Sequence, residues 1–176
     1  YELVTQGADR VAGHEAWVLL FKPRDHYRFA QRLWVERSTG LLLRSDTLGP
    51  QGEVVESSAF SDLAIGGKPL GGAVVSAMRQ INGYRVVRAN TGRTQLEAEG
   101  WAVTRPVPGF RLIGCVKRPI DALAGAGTES AAPVLQSVFS DGLTHVSIFI
   151  EPFDAQRHKP MRTALGATHT VMTRQG

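Results

Sequence analysis

Cysteine is nearly missing from this chain: Cys115 is the one thiol in 176 residues. A single thiol closes no internal disulfide, so a packed core has to hold the fold, and cysteine usage leaves the compartment open. Cys115 lies in the apolar stretch Leu112-Ile113-Gly114-Cys115-Val116, where a small buried hydrophobe is the favoured reading over a reactive thiol. Long apolar runs are missing too. The longest, Ala16 to Phe21, falls far short of the roughly 20 residues that a membrane-spanning helix needs. No signal-peptide pattern is present in the sequence, which begins with Tyr1 and not with Met. The chain opens inside a strand-like pattern, Tyr1 to Thr5, and closes in another, Thr168 to Thr173, whose partner strand does not follow it. Neighbouring sequence is therefore expected beyond both ends.

Chemical motifs are equally scarce. Ser140, Asp141 and His145 are close in sequence, but a hairpin turn sends successive side chains to opposite faces, and no G-x-S-x-G elbow is present. Turn residues plus a surface imidazole is the favoured reading over a hydrolase. His158 and His169 have no nearby cysteine and lack the short spacing of zinc ligands, which argues against a metal. Gly125-Ala126-Gly127 does not lead from a strand into a helix, and no Lys-Ser or Lys-Thr follows a glycine loop, so no nucleotide cofactor is expected. Arginines do interleave with aromatics between Arg24 and Trp34, yet strand alternation accounts for them without nucleic acid.

What the sequence has in quantity is β-strand grammar. From His14 the chain rises into the apolar run ending at Phe21, breaks at Pro23-Arg24-Asp25, alternates through Arg32 to Glu36, and reverses at Ser38-Thr39-Gly40. A three-residue loop with Gly40 left-handed would set Val35 opposite Leu43 and Trp34 opposite Arg44. That register gives one aliphatic face and one bearing Trp34, Arg44 and Glu36. In the first of these strands Val18 and Leu20 point one way and Trp17, Leu19 and Phe21 the other. Both sides of it therefore need a cover: core on one, and a helix, a second sheet or a ligand on the other. Upstream, Tyr1 to Gly7 reads as a strand with Gly7-Ala8-Asp9 as its turn; downstream, Val54 to Phe60 reads as a strand after Gly49-Pro50-Gln51-Gly52. Short connections throughout predict an antiparallel meander.

Composition changes at Gly66 to Gly72, which marks the expected boundary. Residues 1–66 form the first expected domain. A linker is expected over 67–100, with a short helix over Ala73 to Arg79 and a polar remainder from Gly92 to Gly100. A smaller, truncated domain is expected over 101–176, with strands at Trp101 to Thr104 and Gly109 to Val116 and a loop at Gly125-Ala126-Gly127. Ser140-Asp141-Gly142-Leu143 predicts a two-residue hairpin with Asp141 and Gly142 at positive φ. Leu135, Phe139, Val146 and Ile148 would then share a core face, with Gln136, His145 and Ser147 on the other. The net charge is +4, and most of the basic excess falls after Trp101, which suits an anionic partner.

The phrases DRVAGHEAWVLLFKPRDHYRFAQRLWVERSTGLLLRSDTL, VPGF and SVFSDGLTHVSIFIE resemble the RseB/MucB family of sigma-E regulatory proteins. The resemblance runs over nearly the whole chain, through family-specific phrases and not through a general chemical motif. It implies a mainly β (α+β) fold: part of an antiparallel half-barrel like the periplasmic lipoprotein carriers of LolA type, plus a smaller β-rich domain. It implies a periplasmic, non-catalytic regulator without cofactor or metal. Such a protein binds the periplasmic segment of a transmembrane anti-sigma factor, shields it from a site-1 protease, and lets go when it senses lipopolysaccharide or related lipid. In pseudomonads the output would include alginate production.

On that resemblance Trp17, Leu19 and Phe21 face a lipid cavity, and Arg24, Arg28 and Arg32 meet lipid phosphates at its mouth. From the residues alone, plain core is favoured for the same aromatic face. Arg111, Lys117, Arg118 and His145 are the candidate contacts to the anti-sigma partner, with ordinary solvated charge as the equal alternative. A lipid carrier without a peptide-binding surface is the second reading. An incomplete half-barrel exposes edges, so residues before Gly66 are expected to be unstable unless a missing segment, or a homo-oligomer, covers them.

Overall fold

The structure is a computed structural model that describes residues 1–67, 72, 76, 79–80, 82–83, 91–119 and 133–175. The helix expected over Ala73 to Arg79 and the loop at Gly125-Ala126-Gly127 lie mostly or wholly outside those residues. Two compact units are distinguished, one of Tyr1–Lys68 with Ala155–Gly176 and one of Pro69–Asp154. Among the described residues the regular structure is almost all strand, with helical residues at Gly72, Ser76 and Arg79 and a short 3₁₀ turn at Glu97–Glu99. The mainly β expectation is met, and the sheets are open and antiparallel.

The first unit is a five-stranded meander in the order β1 (Glu2–Val11), β2 (His14–Lys22), β3 (Ala30–Glu36), β4 (Leu42–Leu48), β5 (Val54–Ala59). The turn expected at Gly7-Ala8-Asp9 is not a turn. β1 runs through it, and Gly7, at φ 112°, sits at a slip in register between Thr5 and Gly7. A bulge uses the same positive φ that a turn uses but keeps the strand going, so glycine alone does not separate the two. The reversal comes at Ala12-Gly13, both at positive φ, with Val11 opposite His14. That is the geometry of a two-residue type I′ hairpin.

The turn between β3 and β4 differs in a related way. Gly40 is left-handed at φ 73°, as expected, but Glu36 N donates to Leu41 O while Glu36 O accepts from Gly40 N, making the loop one residue longer. Val35 therefore faces Leu42, not Leu43, and a bulge then restores Trp34 opposite Arg44. The bulge turns Leu43 onto the Trp34 side, where it is buried with Ala16, Val18 and Trp34. This is the first unit's core, and each fully buried aliphatic chain in it contributes about 1.5–3 kcal/mol.

The chain's last strand has a partner after all. β11 (Thr168–Met172) pairs with β10 (Met161–Leu165), which precedes it. The strongly exposed β10 carries no regular apolar alternation, with Met161, Ala164 and Leu165 around Arg162 and Thr163, so its strand character is invisible to pattern reading.

The second unit holds a four-stranded sheet in the order β6 (Gly92–Arg93), β7 (Arg111–Arg118), β8 (Val134–Ser140), β9 (His145–Ile150). Trp101 to Thr104 is not a strand. Residues 92–100, read from sequence as the end of a linker, belong to this unit: Leu96 is buried with Cys115 and Leu135, and Trp101, Phe139 and Ile150 pack around them. Cys115 is the small buried hydrophobe expected, with its Sγ 3.7 Å from the Ser137 hydroxyl.

At the β8–β9 turn only Gly142 has a positive φ, and Asp141 N donates to Thr144 O, so the central pair is Gly142-Leu143. Asp141 does not need the left-handed region because its carboxylate accepts from the Leu143 and Thr144 amides. The register moves by two residues, which preserves the faces: Leu135, Phe139, Val146 and Ile148 still share one. Leu135 is buried on it, whereas Val146 and Ile148 are exposed.

Candidate functional site

Residues opposite one another in a ladder share a face, so the registers of β1–β5 sort the sheet into two chemically distinct sides. One carries Asp9, Ala16, Val18, Leu20, Trp34 and Asp46. On it the Trp34 indole Nε1 donates to Asp9 Oδ2 at 2.9 Å, and the Arg44 guanidinium lies over the Trp34 ring, 4.3 Å from its centroid. Arg44 grips the fully buried Asp46 through two bonds of 2.8 Å each, and the Ser57 hydroxyl donates to the same carboxylate at 2.6 Å. A chain of polar contacts thus crosses from β1 to β5.

Burial alone would raise the Asp46 carboxyl; hydrogen bonds from Arg44 and Ser57, with the charges of Arg44 and Arg32, outweigh it and hold the group below the usual aspartate range. At the strand's end Glu36 accepts from the hydroxyls and amides of Ser38 and Thr39. Those bonds, the Thr39 hydroxyl first, lower its pKa to about 2.

The other side of the sheet is apolar and partly open. Trp17, Val35 and Leu42 form one row across it, Leu19 and Leu33 a second, and Leu3 and Phe21 a third. Leu3, Trp17 and Leu42 are 57%, 41% and 43% exposed, far more than core residues are. Trp17, Leu19 and Phe21 are therefore together on one surface. Tyr1 meets the Phe21 ring edge-on, and Arg28, ion-paired with Asp25, reaches over Tyr1.

The three arginines assigned to lipid phosphates are divided by this arrangement. Arg24 is exposed in the β2–β3 connection and Arg28 stands beside the Phe21 end of the apolar face. Arg32 points to the opposite, polar side, where its Nε donates to Gln6 Oε1. A cation missed by the sequence reading stands nearer. The Arg37 guanidinium lies 4.1 Å from the Trp17 ring centroid and pairs with Glu15. Counting the β3 alternation one residue past Glu36 puts Arg37 in phase with Leu33 and Val35, and that was the available signal.

In the second unit Arg111 and His145 flank Ser140 across one row of β7, β8 and β9. Arg118 shares that face at its far end, over the Phe149 ring. Lys117 lies on the other face, 2.5 Å from Glu99, so it is engaged inside the unit. β9 exposes apolar side chains on both faces: Val146 and Ile148 on one, Phe149 on the other. Ser140 and His145 do face the same way, contrary to the expectation that they diverge. The Ser140 hydroxyl is, however, spent on the turn, donating to Thr144 O and accepting from Gly142 N. Among the described residues no group of three or more histidines, cysteines and carboxylates could hold a metal, and no helix is long and apolar enough to cross a membrane.

Comparison with known proteins matches residues 1–95 to a family model described as the MucB/RseB N-terminal domain, and residues 95–176 to one described as the MucB/RseB C-terminal domain. The sigma factor AlgU regulatory protein MucB of Pseudomonas aeruginosa is 31% identical over 175 residues, 99% of this chain and 51% of that protein. The sigma-E factor regulatory protein RseB of Haemophilus influenzae is 38% identical over 56 residues, 32% of this chain and 18% of that protein. Among solved structures, MucB in complex with MucA(peri) aligns at a TM-score of 0.64 and 30% identity, covering 97% of this chain and 55% of that one. The Pseudomonas aeruginosa MucA/MucB complex aligns at 0.66 and 29%, covering 97% and 53%. The chain thus spans about half the length of the MucB that it matches.

Proposed function

This chain belongs to the MucB/RseB family, and from that membership we propose that it is part of a periplasmic negative regulator of an envelope-stress sigma factor. The observation carrying the proposal is that 97% of the chain aligns with MucB as found in complex with MucA(peri). By analogy the whole protein binds the periplasmic segment of an anti-sigma factor of the MucA or RseA type and shields it from site-1 proteolysis. Lipid or lipopolysaccharide then releases it; in a pseudomonad the protein would repress alginate production.

The two units suit different parts of this role. The open apolar face around Trp17, Leu19 and Phe21, with Arg28 and Arg37 at its two ends, suits an acyl chain with an anionic head. Arg111, Arg118 and His145, on one face with the exposed Phe149 of β9, suit an acidic, partly apolar peptide. The mechanism is linkage: a lipid that prefers the released form of the regulator weakens the grip on the peptide by its differential affinity for the two forms.

The test is calorimetry of the full-length protein against the anti-sigma factor's periplasmic segment, with and without an acylated phospholipid. Binding that weakens as lipid is added is the expected result. Lipid uptake without peptide binding would leave a carrier of lipid or lipoprotein, and peptide binding indifferent to lipid would remove the release step.

A further inference from the structure

The hairpin of β10 and β11 belongs to the first unit but stands mostly in solvent. Its strands are exposed along almost their whole length, with Leu165 83% and Val171 58% exposed. Among the described residues it bonds in a ladder to no other strand. A lone two-stranded hairpin is marginal in water, so its docking contacts decide whether it stays folded against the sheet.

Two such contacts stand out among the described residues. At the tip, Ala167 N donates to Glu56 Oε1 at 3.0 Å. Along β11, the His169 ring meets Phe29 edge-on with centroids 5.8 Å apart. The tip fits closely: Gly166 is at φ 57°, and a Cβ added there would stand 2.7 Å from Glu56 Oε1.

The place of these contacts gives them meaning. Glu56 is opposite Thr47, Thr47 opposite Gln31, and Gln31 opposite Phe21, so Glu56 is in the last row of the apolar face. Phe29 immediately precedes β3 at the same end. The hairpin is therefore fastened to the rim of the apolar face, and it belongs to sequence matched by the C-terminal family model.

We propose that this hairpin is a latch on the apolar face of β1–β5, held by Glu56 and Phe29 and displaced when an acyl chain enters. The proposal rests on the lipid reading given above and adds its gate. An element with few buried contacts opens at low free-energy cost, and a ligand that binds only the opened form shifts the balance toward it.

The experiment is hydrogen exchange on the full-length protein, followed by uptake of a dansylated fatty acid. Glu56→Ala with His169→Ala should speed exchange over residues 163–171 about tenfold, the order expected for losing one hydrogen bond and one edge-to-face contact. The amides of β2 and β3 should keep their protection. The same variant should take up the probe several-fold faster, and the probe should speed exchange of the hairpin in the unmodified protein. Glu56→Gln with His169→Phe keeps an acceptor and a ring, and should behave as the unmodified protein does. Unchanged hairpin exchange in the alanine variant, or equal uptake by both forms, would overturn the latch and leave the lipid reading standing. Probe bound by neither form would overturn the lipid reading and the gate with it.

Discussion

Replacing Arg44 by leucine should cost the first unit about 3–5 kcal/mol at neutral pH, the range for leaving a buried charge without its partner. The structure fixes where the loss comes from. Asp46 is fully buried and receives three hydrogen bonds, two of them from Arg44. Without Arg44 the carboxylate keeps the Ser57 hydroxyl and the more distant charge of Arg32. The reverse change, Asp46→Asn, should cost less, about 1–2 kcal/mol, because the Arg44 side chain is 37% exposed and can take up water in place of its partner.

The pH dependence separates this account from simple loss of packing. In the unmodified protein the Asp46 pKa is lowered on folding, so its contribution is present above the unfolded value and is lost as pH falls below it. In the leucine variant burial is no longer outweighed, and the folded pKa rises above the unfolded value. Its contribution is then present at low pH and lost as pH rises. The difference between the two proteins should therefore shrink between pH 7 and pH 4. Urea unfolding of the full-length protein, with every tryptophan except Trp34 changed to phenylalanine so that Trp34 reports, measures this; at pH 7 the midpoint should fall by roughly 2 M. A loss below about 1 kcal/mol, or one equal at both pH values, would refute the reasoning.

Three further outcomes are expected. Glu36 is held at a pKa of about 2 against an ordinary 4.5, so its stabilisation of the β3–β4 turn is present above 4.5 and fades toward pH 2; Glu36→Gln should remove that part of the acid dependence, read by unfolding at a series of pH values. Gly7→Ala forces a side chain to φ 112° at the β1 bulge and should cost about 1–3 kcal/mol, seen as faster exchange of β1 amides. Ser57→Ala removes the 2.6 Å bond to Asp46 and should cost about 1.5–3 kcal/mol, as for a bond to a charged acceptor, measured by the same urea titration.

The sequence made the strands legible because apolar alternation and glycine punctuation are local signals. β2, β3 and β4 could be read with their faces, and Trp34 could be set opposite Arg44. What failed were the positions where two local geometries share one cue. Gly7 suggests a turn in sequence because a bulge and a turn both use positive φ, and the β3–β4 loop looks one residue shorter than it is because the bulge at Leu43 compensates for it. β10 has no hydrophobic period, since its partner is a hairpin strand and not a core. Of the candidate site, Trp17, Leu19 and Phe21 followed from period two alone. Arg32 could not be placed without the register, and Arg37 was overlooked because the count stopped at the turn.

The two faces of β1–β5 explain how such a sheet can leave part of its apolar surface uncovered. A sheet held only by hydrophobic burial loses its register when one face opens, because sliding costs little once nothing packs against the side chains. Here the opposite face carries directional contacts: Trp34 to Asp9 ties β3 to β1, Arg44 sits on Trp34 to tie β4 to β3, and Ser57 to Asp46 ties β5 to β4. Each fixes a pair of strands in one register, since a slip of one residue would carry the side chain to the other face. With register set from that side, Leu3, Trp17 and Leu42 need not be buried for the sheet to persist. They can stay open or take a cover without the strands slipping, which is what the proposed lipid-responsive role would ask of this face.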